Sequence, residues 1–192
     1  MLSWRVSSSL KLMTPEDKSW SMSDEMMDYI FKLVPDGGTI LELGSGYSTY
    51  VFDQCDYKVI TVEHDERFLS KVPRATYIHA PIEYYDANYR QLPSIAKRIP
   101  DHKGWYNRKA FSEGLRDVVY DCIVVDGPPR DYGRSGILAN LGLFPNLSVP
   151  IIIDDVNRID DLYIAGCLAQ KLERDLLITN NKQGKKSFGV IL

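Results

Sequence analysis

Short apolar segments rich in β-branched residues recur along the 192-residue chain, and segments with helical spacing of apolar residues separate them. Each apolar segment has the length of one buried strand. This alternation is typical of α/β folds, in which helices cover both faces of a doubly wound, mostly parallel sheet. The predicted strands are "TILEL" (39–43), "KVITVE" (58–63), "ATYIHA" (75–80), "DCIVVD" (121–126) and "PIIID" (150–154).

The segments between these strands predict the covering helices. Ser23 is suited to N-cap the first helix, because Asp24 and Glu25 follow in a first turn that favours acidic side chains. The Pro-Asp-Gly-Gly segment at 35–38 ends this helix. Further helices are predicted near 48–54, over 65–72, over a segment carrying Ile137, Leu138, Leu141 and Phe144, and over 158–172, where Ile159, Leu162, Tyr163 and Leu172 share one face.

The end of the sequence predicts an antiparallel hairpin at one edge of the sheet. The segments "DLLIT" (175–179) and "SFGVIL" (187–192) are joined by a connection rich in turn residues. The region 81–118 is polar, aromatic and basic, and it is longer than a simple connection, so we expect an insertion or lid there. We expect a single domain over 1–192, with residues 1–22 as an N-terminal arm.

Composition narrows the choice of partners. The formal net charge is −3, so the chain lacks the basic field that gathers phosphates, and no nucleic-acid partner is expected. No apolar run approaches the length of a membrane span, which predicts no membrane partner. The three cysteines are widely spaced and form no CxxC pair, which favours reduced thiols in the cytoplasm. These features are compatible with a homo-oligomer.

A glycine turn follows the first strand, in "ELGSGYST" (42–49). Such a turn lets main-chain N–H groups approach a ligand closely. The dinucleotide fingerprint GxGxxG would need a third glycine at Thr49, so the signal is weak alone, and a nicotinamide dehydrogenase is a distant alternative. Glu63 ends the next strand, seventeen residues after Gly46, where an acidic residue accepts hydrogen bonds from ribose hydroxyls. Alternatively, Glu63 is a charged side chain at the end of the strand that is exposed to solvent and binds no ligand.

In these two motifs the chain resembles the class I S-adenosylmethionine-dependent methyltransferases. "ILELGSGYST" resembles their first motif, and "VITVEHD" resembles the acidic loop that follows it. The resemblance covers about residues 38–192. It implies S-adenosyl-L-methionine as cofactor and a Rossmann-like sheet with strand order 3-2-1-4-5-7-6. The cofactor site that it implies comprises Glu42, Gly44, Ser45 and Gly46 on the methionine and ribose side, Glu63 on the ribose diol with His64 beside it, Ile82 of "APIEYY" (80–85) near adenine, and Asp126.

Three aspartates are predicted to meet at the carboxyl edge of the sheet. Asp126 ends one strand, and Asp154 and Asp155 end another 28 residues later. Adjacent parallel strands bring such ends together in the crevice where α/β folds bind ligands. The carboxylates repel one another unless a cation lies between them, and a divalent ion with oxygen ligands (Mg, Mn or Co) satisfies this. In the alternative, Asp126 touches the cofactor, Asp155 caps a helix and Asp154 pairs with an arginine. The candidate arginines are Arg130, Arg134 and Arg158.

The segments around these aspartates also resemble O-methyltransferases. The catechol and macrolide-sugar enzymes place an aspartate and an acidic pair at the same two strand ends, which implies Asp126, Asp154 and Asp155 as metal ligands. "VDGPPRDYGRSGILANL" and "IIIDDVNRIDDLY" resemble the plant glucuronoxylan 4-O-methyltransferases and their bacterial relatives. The positions that match that group are Asp126, Arg134, Asp155 and Arg158. Asp154 departs from the plant pattern, which often has histidine there.

The resemblance implies a methyltransferase that acts on a hydroxyl of a sugar, glycan or other small molecule. Asp126, Asp155 and Arg130 are the predicted catalytic residues. No histidine occurs in the "GPPR" segment (127–130) that follows Asp126. The proton is therefore expected to go to Asp126 or to a metal-bound hydroxide, with His102 as a remoter base.

Other interpretations stay open. The "GWYNRK" segment either contacts a sugar or carboxylate or packs as a lid onto the body, through Trp105, Tyr106, Arg108 and Lys109. "DGPPRDY" (126–132) is close to the Pro-Pro-Tyr signature of amino-methyltransferases acting on nucleic acid or small molecules, but Gly127 and Arg130-Asp131 interrupt it. A catalytically silent subunit that binds S-adenosylmethionine is a third hypothesis.

Overall fold

A seven-stranded sheet forms the centre of the protein, in a computed structural model that describes residues 22–85, 103–182 and 184–192. The strands of the described ranges are β1 (Thr39–Leu43), β2 (Lys58–Glu63), β3 (Thr76–His79), β4 (Ile82–Tyr84), β5 (Gly104–Tyr106), β6 (Cys122–Val125), β7 (Ile151–Ile153), β8 (Leu176–Asn180) and β9 (Ser187–Ile191). The central sheet has the order β3-β2-β1-β6-β7-β9-β8, in which β9 is antiparallel to both neighbours and the other pairs are parallel. The predicted fold class, strand order and closing hairpin are confirmed.

The parallel strands end level with one another at one edge of the sheet. Leu43 at the end of β1 is in register with Val62 of β2 and with Val125 of β6. Val125 is in turn in register with Ile153 of β7. The residues that follow β1, β2, β6 and β7 are therefore neighbours at this edge, and it is where the predicted site residues converge.

Helices cover both faces of the sheet. They are α1 (Asp24–Leu33), α2 (Tyr47–Gln54), α3 (Arg108–Leu115) and α4 (Ile159–Leu172). α1 and α2 bury Met26 and Phe52 on one face, and α3 and α4 bury Phe111 and Leu168 on the other. The predicted cap of α1 is confirmed, because the hydroxyl of Ser23 accepts a hydrogen bond from the main-chain N–H of Met26 at 3.2 Å.

The helix predicted over 65–72 is wrong. Only Glu66–Phe68 forms a single turn of 3₁₀ helix. The carboxylate of Asp65 accepts a hydrogen bond from Arg67 N at 2.9 Å, which closes a local turn. Ser70 then has φ of 58°, in the left-handed region, so the chain cannot continue as a right-handed helix.

The single helix predicted between β6 and β7 is also wrong. The segment forms two 3₁₀ turns, Ser135–Ala139 and Leu141–Leu143. The side-chain amide of Asn140 donates a hydrogen bond to the carbonyl of Gly136 at 2.8 Å, and glycine and asparagine are weak helix formers. The apolar side chains expected of that helix still contribute to the core or pack against it; they are Ile137, Leu138, Leu141 and Phe144.

Of the apolar face expected of α4, only Leu172 packs against the core, and the helix turns a different face to the sheet. Ile164 and Leu168 are buried against the sheet. Asp161, near the N-terminus of α4, is also buried, and its ion pairs with arginines fix this orientation. The apolar side chains left exposed on α4 are Ile159, Leu162 and Tyr163.

The insertion predicted over 81–118 contains an antiparallel pair of strands, β4 and β5, followed by α3. Residues 86–102, including the candidate base His102, lie outside the described residues, as do residues 1–21 of the predicted arm. Met22 is buried in the core beneath α1. None of the helices in the described ranges combines the length and apolar character needed to cross a membrane.

Candidate active site

The glycine loop after β1 lies against the segment that follows β6. Gly44 has φ of 92°, and a Cβ added to it would lie 3.0 Å from the main-chain N of Gly127. A side chain at position 44 is therefore excluded both by the backbone conformation and by this contact. A Cβ added to Gly46, in contrast, would meet no atom within 4 Å. The loop thus presents bare backbone to open space at Gly46, immediately before α2 begins at Tyr47.

Glu63 ties this loop to the end of β2. Its carboxylate accepts hydrogen bonds from the main-chain N–H groups of Ser45 at 2.8 Å, His64 at 2.6 Å and Asp65 at 2.8 Å. The hydroxyl of Ser45 donates a further bond at 3.1 Å, and His64 Nδ1 lies 2.7 Å away. Burial raises the pKa of Glu63, but these hydrogen bonds outweigh burial and lower it below its usual value. Glu63 is therefore a buried, ionised anchor and not a solvated strand-end charge.

Glu42 supports the loop from inside the fold. Its side chain is fully buried, and it accepts hydrogen bonds from the hydroxyls of Ser48 and Thr49, the latter at 2.6 Å. The hydroxyl oxygen of Thr49 also accepts a bond from Gly46 N at 2.9 Å. Burial, opposed in part by these hydroxyls, raises the pKa of Glu42 to about 8. Thr49 therefore has a bonding role at the position where a dinucleotide fingerprint has glycine.

The three predicted aspartates come together beside this loop. Oxygens of Asp126, Asp154 and Asp155 all lie within 4.8 Å of one another. Asp155 has φ of 62°, an uncommon conformation for a residue other than glycine. Burial, followed by the charges of Asp126 and Asp155, raises the pKa of Asp154 to about 7. Burial also raises the pKa of Asp126.

Arg134 lies in the middle of this acidic cluster. Its side chain is 4% exposed, and Nη2 lies 3.1 Å from both Asp126 Oδ1 and Asp155 Oδ2. Nη1 donates to the main-chain carbonyl of Asp154 at 2.7 Å and lies 3.9 Å from Asp161 Oδ1. A single arginine thus bridges the loops that follow β6 and β7.

Arg158 adds a second cation at the outer side of the cluster. Its Nη1 lies 2.9 Å from Asp155 Oδ2 and 3.7 Å from Asp161 Oδ2. Asp155 therefore pairs with arginines and does not cap α4. The N-cap position of α4 is Arg158, and no side chain caps the helix there. Arg130 is exposed and makes no ion pair with a described residue, but it lines a cavity of about 160 Å³ together with Arg134 and Arg158. The structure therefore places Arg134, not Arg130, against the aspartates.

Trp105 and Tyr106 of β5 pack inward onto the site. Both side chains are fully buried. The hydroxyl of Tyr106 has no hydrogen-bond partner in the described ranges and lies so close to Gly127 that a Cβ there would be 2.3 Å from it. Burial and then the charge of Glu63 raise the pKa of Tyr106 well above its usual value. The "GWYNRK" segment was predicted either to contact a sugar or carboxylate or to pack onto the body of the protein. Trp105 and Tyr106 pack onto the body, whereas Arg108 and Lys109 are exposed.

Aromatic side chains border the site on the side of β2 and β4. The rings of His64 and Tyr132 pack edge to face with centroids 5.4 Å apart, and Tyr84 packs on Tyr132 at 5.9 Å. Ile82 begins β4 directly opposite Tyr106 of β5. His79 Nε2 lies 3.3 Å from the carbonyl of His64. The segments predicted to lie near adenine therefore form one border of the site.

Solved methyltransferase structures share this fold. The structure resembles the ribosomal protein L11 methylase of Lactobacillus delbrueckii subsp. bulgaricus, with a TM-score of 0.52 and 11% identity over 94% of this chain and 79% of that one. A methyltransferase of Pyrococcus furiosus gives a TM-score of 0.51 and 16% identity over 88% and 82% of the two chains. The C-terminal domain of precorrin-6Y C5,15-methyltransferase of Rhodobacter capsulatus gives a TM-score of 0.51 and 11% identity over 89% and 88%.

No protein-family model matches the sequence, and no curated protein is similar to it. The chain has the Rossmann-like fold of these methyltransferases. At these identities the likeness concerns the fold.

Proposed function

We propose that the protein is an S-adenosylmethionine-dependent methyltransferase that acts on a hydroxyl group of a sugar, glycan or other small molecule. The observation that carries this proposal is the anchoring of the glycine loop by Glu63, beside an acidic cluster at the same edge of the sheet. A cofactor with a ribose and an amino-acid end needs both a close backbone approach and an acidic group for the ribose hydroxyls. The loop and Glu63 supply these at adjacent strand ends.

In this proposal the cofactor lies along the ends of β1, β2 and β6. Bound S-adenosylmethionine supplies an electrophilic methyl group on its sulfonium sulfur. Gly44, Ser45 and Gly46 lie on the methionine and ribose side, and Glu63 accepts from the ribose hydroxyls in place of the side chains of Ser45 and His64, which contact its oxygens in the ligand-free protein. His64 and Ile82 border the adenine side. The open space at Gly46 and the ionised state of Glu63 fit this assignment.

The acceptor hydroxyl must lose its proton as the methyl group is transferred. Asp126 is the carboxylate best placed to take it, because its side chain is 24% exposed whereas that of Asp155 is 12% exposed. Arg134 and Arg158 then hold Asp155 and orient the cluster. The exposed Arg130 stands at the neighbouring cavity, where it is suited to contact the acceptor.

We further propose that the acidic cluster binds a divalent cation. Four aspartates, Asp126, Asp154, Asp155 and Asp161, face two arginines here, and Lys186 adds a positive charge that acts on Asp126. With all four carboxylates ionised, one negative charge would remain uncompensated. Carboxylate oxygens are the ligands that Mg²⁺ and Mn²⁺ prefer. Asp126, Asp154 and Asp155 would hold the ion, and its charge would lower the pKa of a nearby acceptor hydroxyl.

Calorimetric titration tests the cofactor assignment. S-adenosylmethionine and S-adenosylhomocysteine should bind the wild type, and NAD should not. Gly46→Val should weaken binding at least about tenfold while the thermal midpoint stays unchanged, because the new side chain fills open space. Gly142→Val is the matched control, since a Cβ there also meets no atom within 4 Å. Binding of NAD alone, or unchanged affinity in Gly46→Val, would contradict the assignment.

Methyl transfer from labelled S-adenosylmethionine to a panel of sugars, glycans, catechols and nucleic acids tests the acceptor. Labelling of nucleic acid and of no hydroxyl compound would favour the amino-methyltransferase alternative. The metal is tested by thermal unfolding with Mg²⁺, Mn²⁺ or Co²⁺, since a ligand of the folded state raises the midpoint. Asp154→Asn should remove that rise, whereas the exposed Asp131→Asn should keep it. A wild type that responds to none of the three ions contradicts the metal site.

A further inference from the structure

One edge of the central sheet is formed by β8, which pairs with β9 and, within the described residues, with no other strand. Its main-chain groups alternate between the inner and the open side. The carbonyl of Asp175 accepts from Leu192 N at 3.2 Å, and Asn181 N donates to Lys186 O at 2.8 Å, so these two residues bond inward. By alternation, the residues whose N–H and C=O groups point to the open side are Leu176, Ile178 and Asn180.

This edge lacks the features that keep edge strands from pairing. Charged side chains, prolines and bulges usually protect such an edge, but β8 has the sequence LLITN without any of these. Leu177 and Ile178 are each 45% exposed. The described residues therefore leave β8 open to pairing with another strand along its full length.

An apolar groove runs beside this edge, on the face of the sheet that α4 covers. It has a volume of about 610 Å³ and lies between α4 and β8. Its apolar lining residues are Ile159, Leu162, Tyr163, Gly166, Cys167 and Leu176. Ile159 is 77% exposed, so this surface is not covered by the described part of the chain. An apolar face of this kind beside an open strand edge is a typical protein contact surface.

Charges at the two ends of β8 select the direction of a second strand. Glu173 and Asp175 are exposed before the strand, whereas the guanidinium of Arg174 between them donates to the main-chain carbonyls of Leu147 and Ile191. Lys182 and Lys185 are exposed after the strand. A parallel copy of the same strand would set like charges together. An antiparallel copy sets the acidic start of one strand beside the basic end of the other, which is favourable.

We propose that a second copy of this chain occupies this surface, with β8 of the two copies paired antiparallel about a two-fold axis at Ile178. Ile178 then faces the partner's Ile178, and Leu176 faces the partner's Asn180, which gives about six main-chain hydrogen bonds. Leu176 and Ile178 share a strand face, and Leu176 lines the groove, so the groove of each copy lies beside the new contact. The two α4 helices thereby cover the same side of a sheet that continues through both copies. An isologous contact of this kind closes as a dimer.

Sedimentation velocity over a range of concentrations tests this proposal on the full chain. The wild type should sediment with twice the mass of one chain. Ile178→Lys places two lysines opposite each other at the axis and should raise the dimer dissociation constant at least about tenfold. Val119→Lys is the matched control, because Val119 is 81% exposed and lies before β6, so its dimer should persist. A monomeric wild type, or a dimer that Ile178→Lys leaves intact, overturns the proposal.

A cysteine at the axis gives an independent measurement. Directly opposed residues of a hydrogen-bonded antiparallel pair have Cα atoms about 5.5 Å apart and Cβ atoms about as far apart, which exceeds the roughly 3.5–4.5 Å Cβ separation of a disulfide but is within reach of a short bifunctional maleimide. Ile178→Cys should therefore be cross-linked into a dimer by such a reagent. Asn180→Cys should not, because its partner across the axis is Leu176. Equal cross-linking of the two variants and of the wild type contradicts the two-fold at Ile178.

Discussion

Nη2 of Arg134 lies 3.1 Å from Oδ2 of Asp155, although the two residues lie on opposite sides of β7 in the sequence. The same nitrogen lies 3.1 Å from Oδ1 of Asp126. One buried guanidinium therefore joins the loops after two neighbouring strands. It also compensates aspartates that would otherwise repel one another in a largely buried site.

Replacement of Arg134 should be strongly destabilising. Arg134→Gln removes the buried cation that contacts both Asp126 and Asp155, and removal of one partner from a buried ion pair costs about 3–5 kcal/mol. Urea unfolding at neutral pH measures this loss. The exposed Arg130→Gln should change the free energy of unfolding by no more than about 0.5 kcal/mol. Equal stabilities for the two variants would show that Arg134 does not hold the cluster together.

Replacement of Asp126 should separate chemistry from cofactor binding. Asp126→Asn keeps the size of the side chain but removes its ability to take a proton, so methyl transfer should fall at least about 100-fold. The affinity for S-adenosylmethionine, measured by calorimetry, should change much less. Asp131→Asn, a nearby exposed replacement, should retain full activity. Asp126→Asn with wild-type turnover would assign the proton transfer to another group.

The proposed cofactor side of the site follows from local sequence. A glycine turn between a strand and a helix, with Glu63 at the end of the next strand, requires only that the two strands be parallel neighbours, and the alternation of elements predicts this. The convergence of Asp126 with Asp154 and Asp155 follows from the same rule, because both segments end strands at one edge of the sheet. These parts of the fold depend on short-range patterns and on one general property of α/β sheets.

The parts that sequence did not predict depend on contacts between distant segments. The guanidinium of Arg134 reaches the aspartates because the segment after β6 folds into 3₁₀ turns and not into the predicted helix. The family resemblance points to Arg134, but no local sequence pattern shows that Arg134, and not Arg130, contacts the aspartates. The inward packing of Tyr106 depends on the pairing of β4 with β5 across an insertion. The exposed face of α4 reflects the burial of Asp161, which hydrophobic periodicity does not anticipate.

The raised pKa of Glu42 predicts a stability that decreases as pH rises. Its pKa is about 8 in the folded protein and 4.5 ordinarily, so between these values the folded state holds a proton that the unfolded state has lost. The stability that Glu42 contributes is fully present below pH 4.5 and decreases by about 1.4 kcal/mol per pH unit up to about pH 8. Glu42→Gln does not titrate; it keeps one acceptor oxygen for a hydroxyl, and its amide NH2 donates to the oxygen of the other hydroxyl. Urea unfolding at pH 5, 7 and 9 should show the wild type losing stability relative to this variant, and a constant difference would contradict the prediction.

Two buried tyrosines should respond in opposite ways to loss of the hydroxyl. Tyr106 buries a hydroxyl that has no partner in the described ranges, which carries a desolvation cost of about 1–3 kcal/mol, so Tyr106→Phe should stabilise the ligand-free protein. The hydroxyl of Tyr120 instead donates to the carbonyl of Asn146 at 2.6 Å and accepts from its N–H at 3.2 Å. Tyr120→Phe should therefore destabilise the protein by about 1 kcal/mol. Thermal and urea unfolding of the two variants without cofactor measure this contrast, and a loss of stability in Tyr106→Phe would mean that its hydroxyl is bonded in the folded protein.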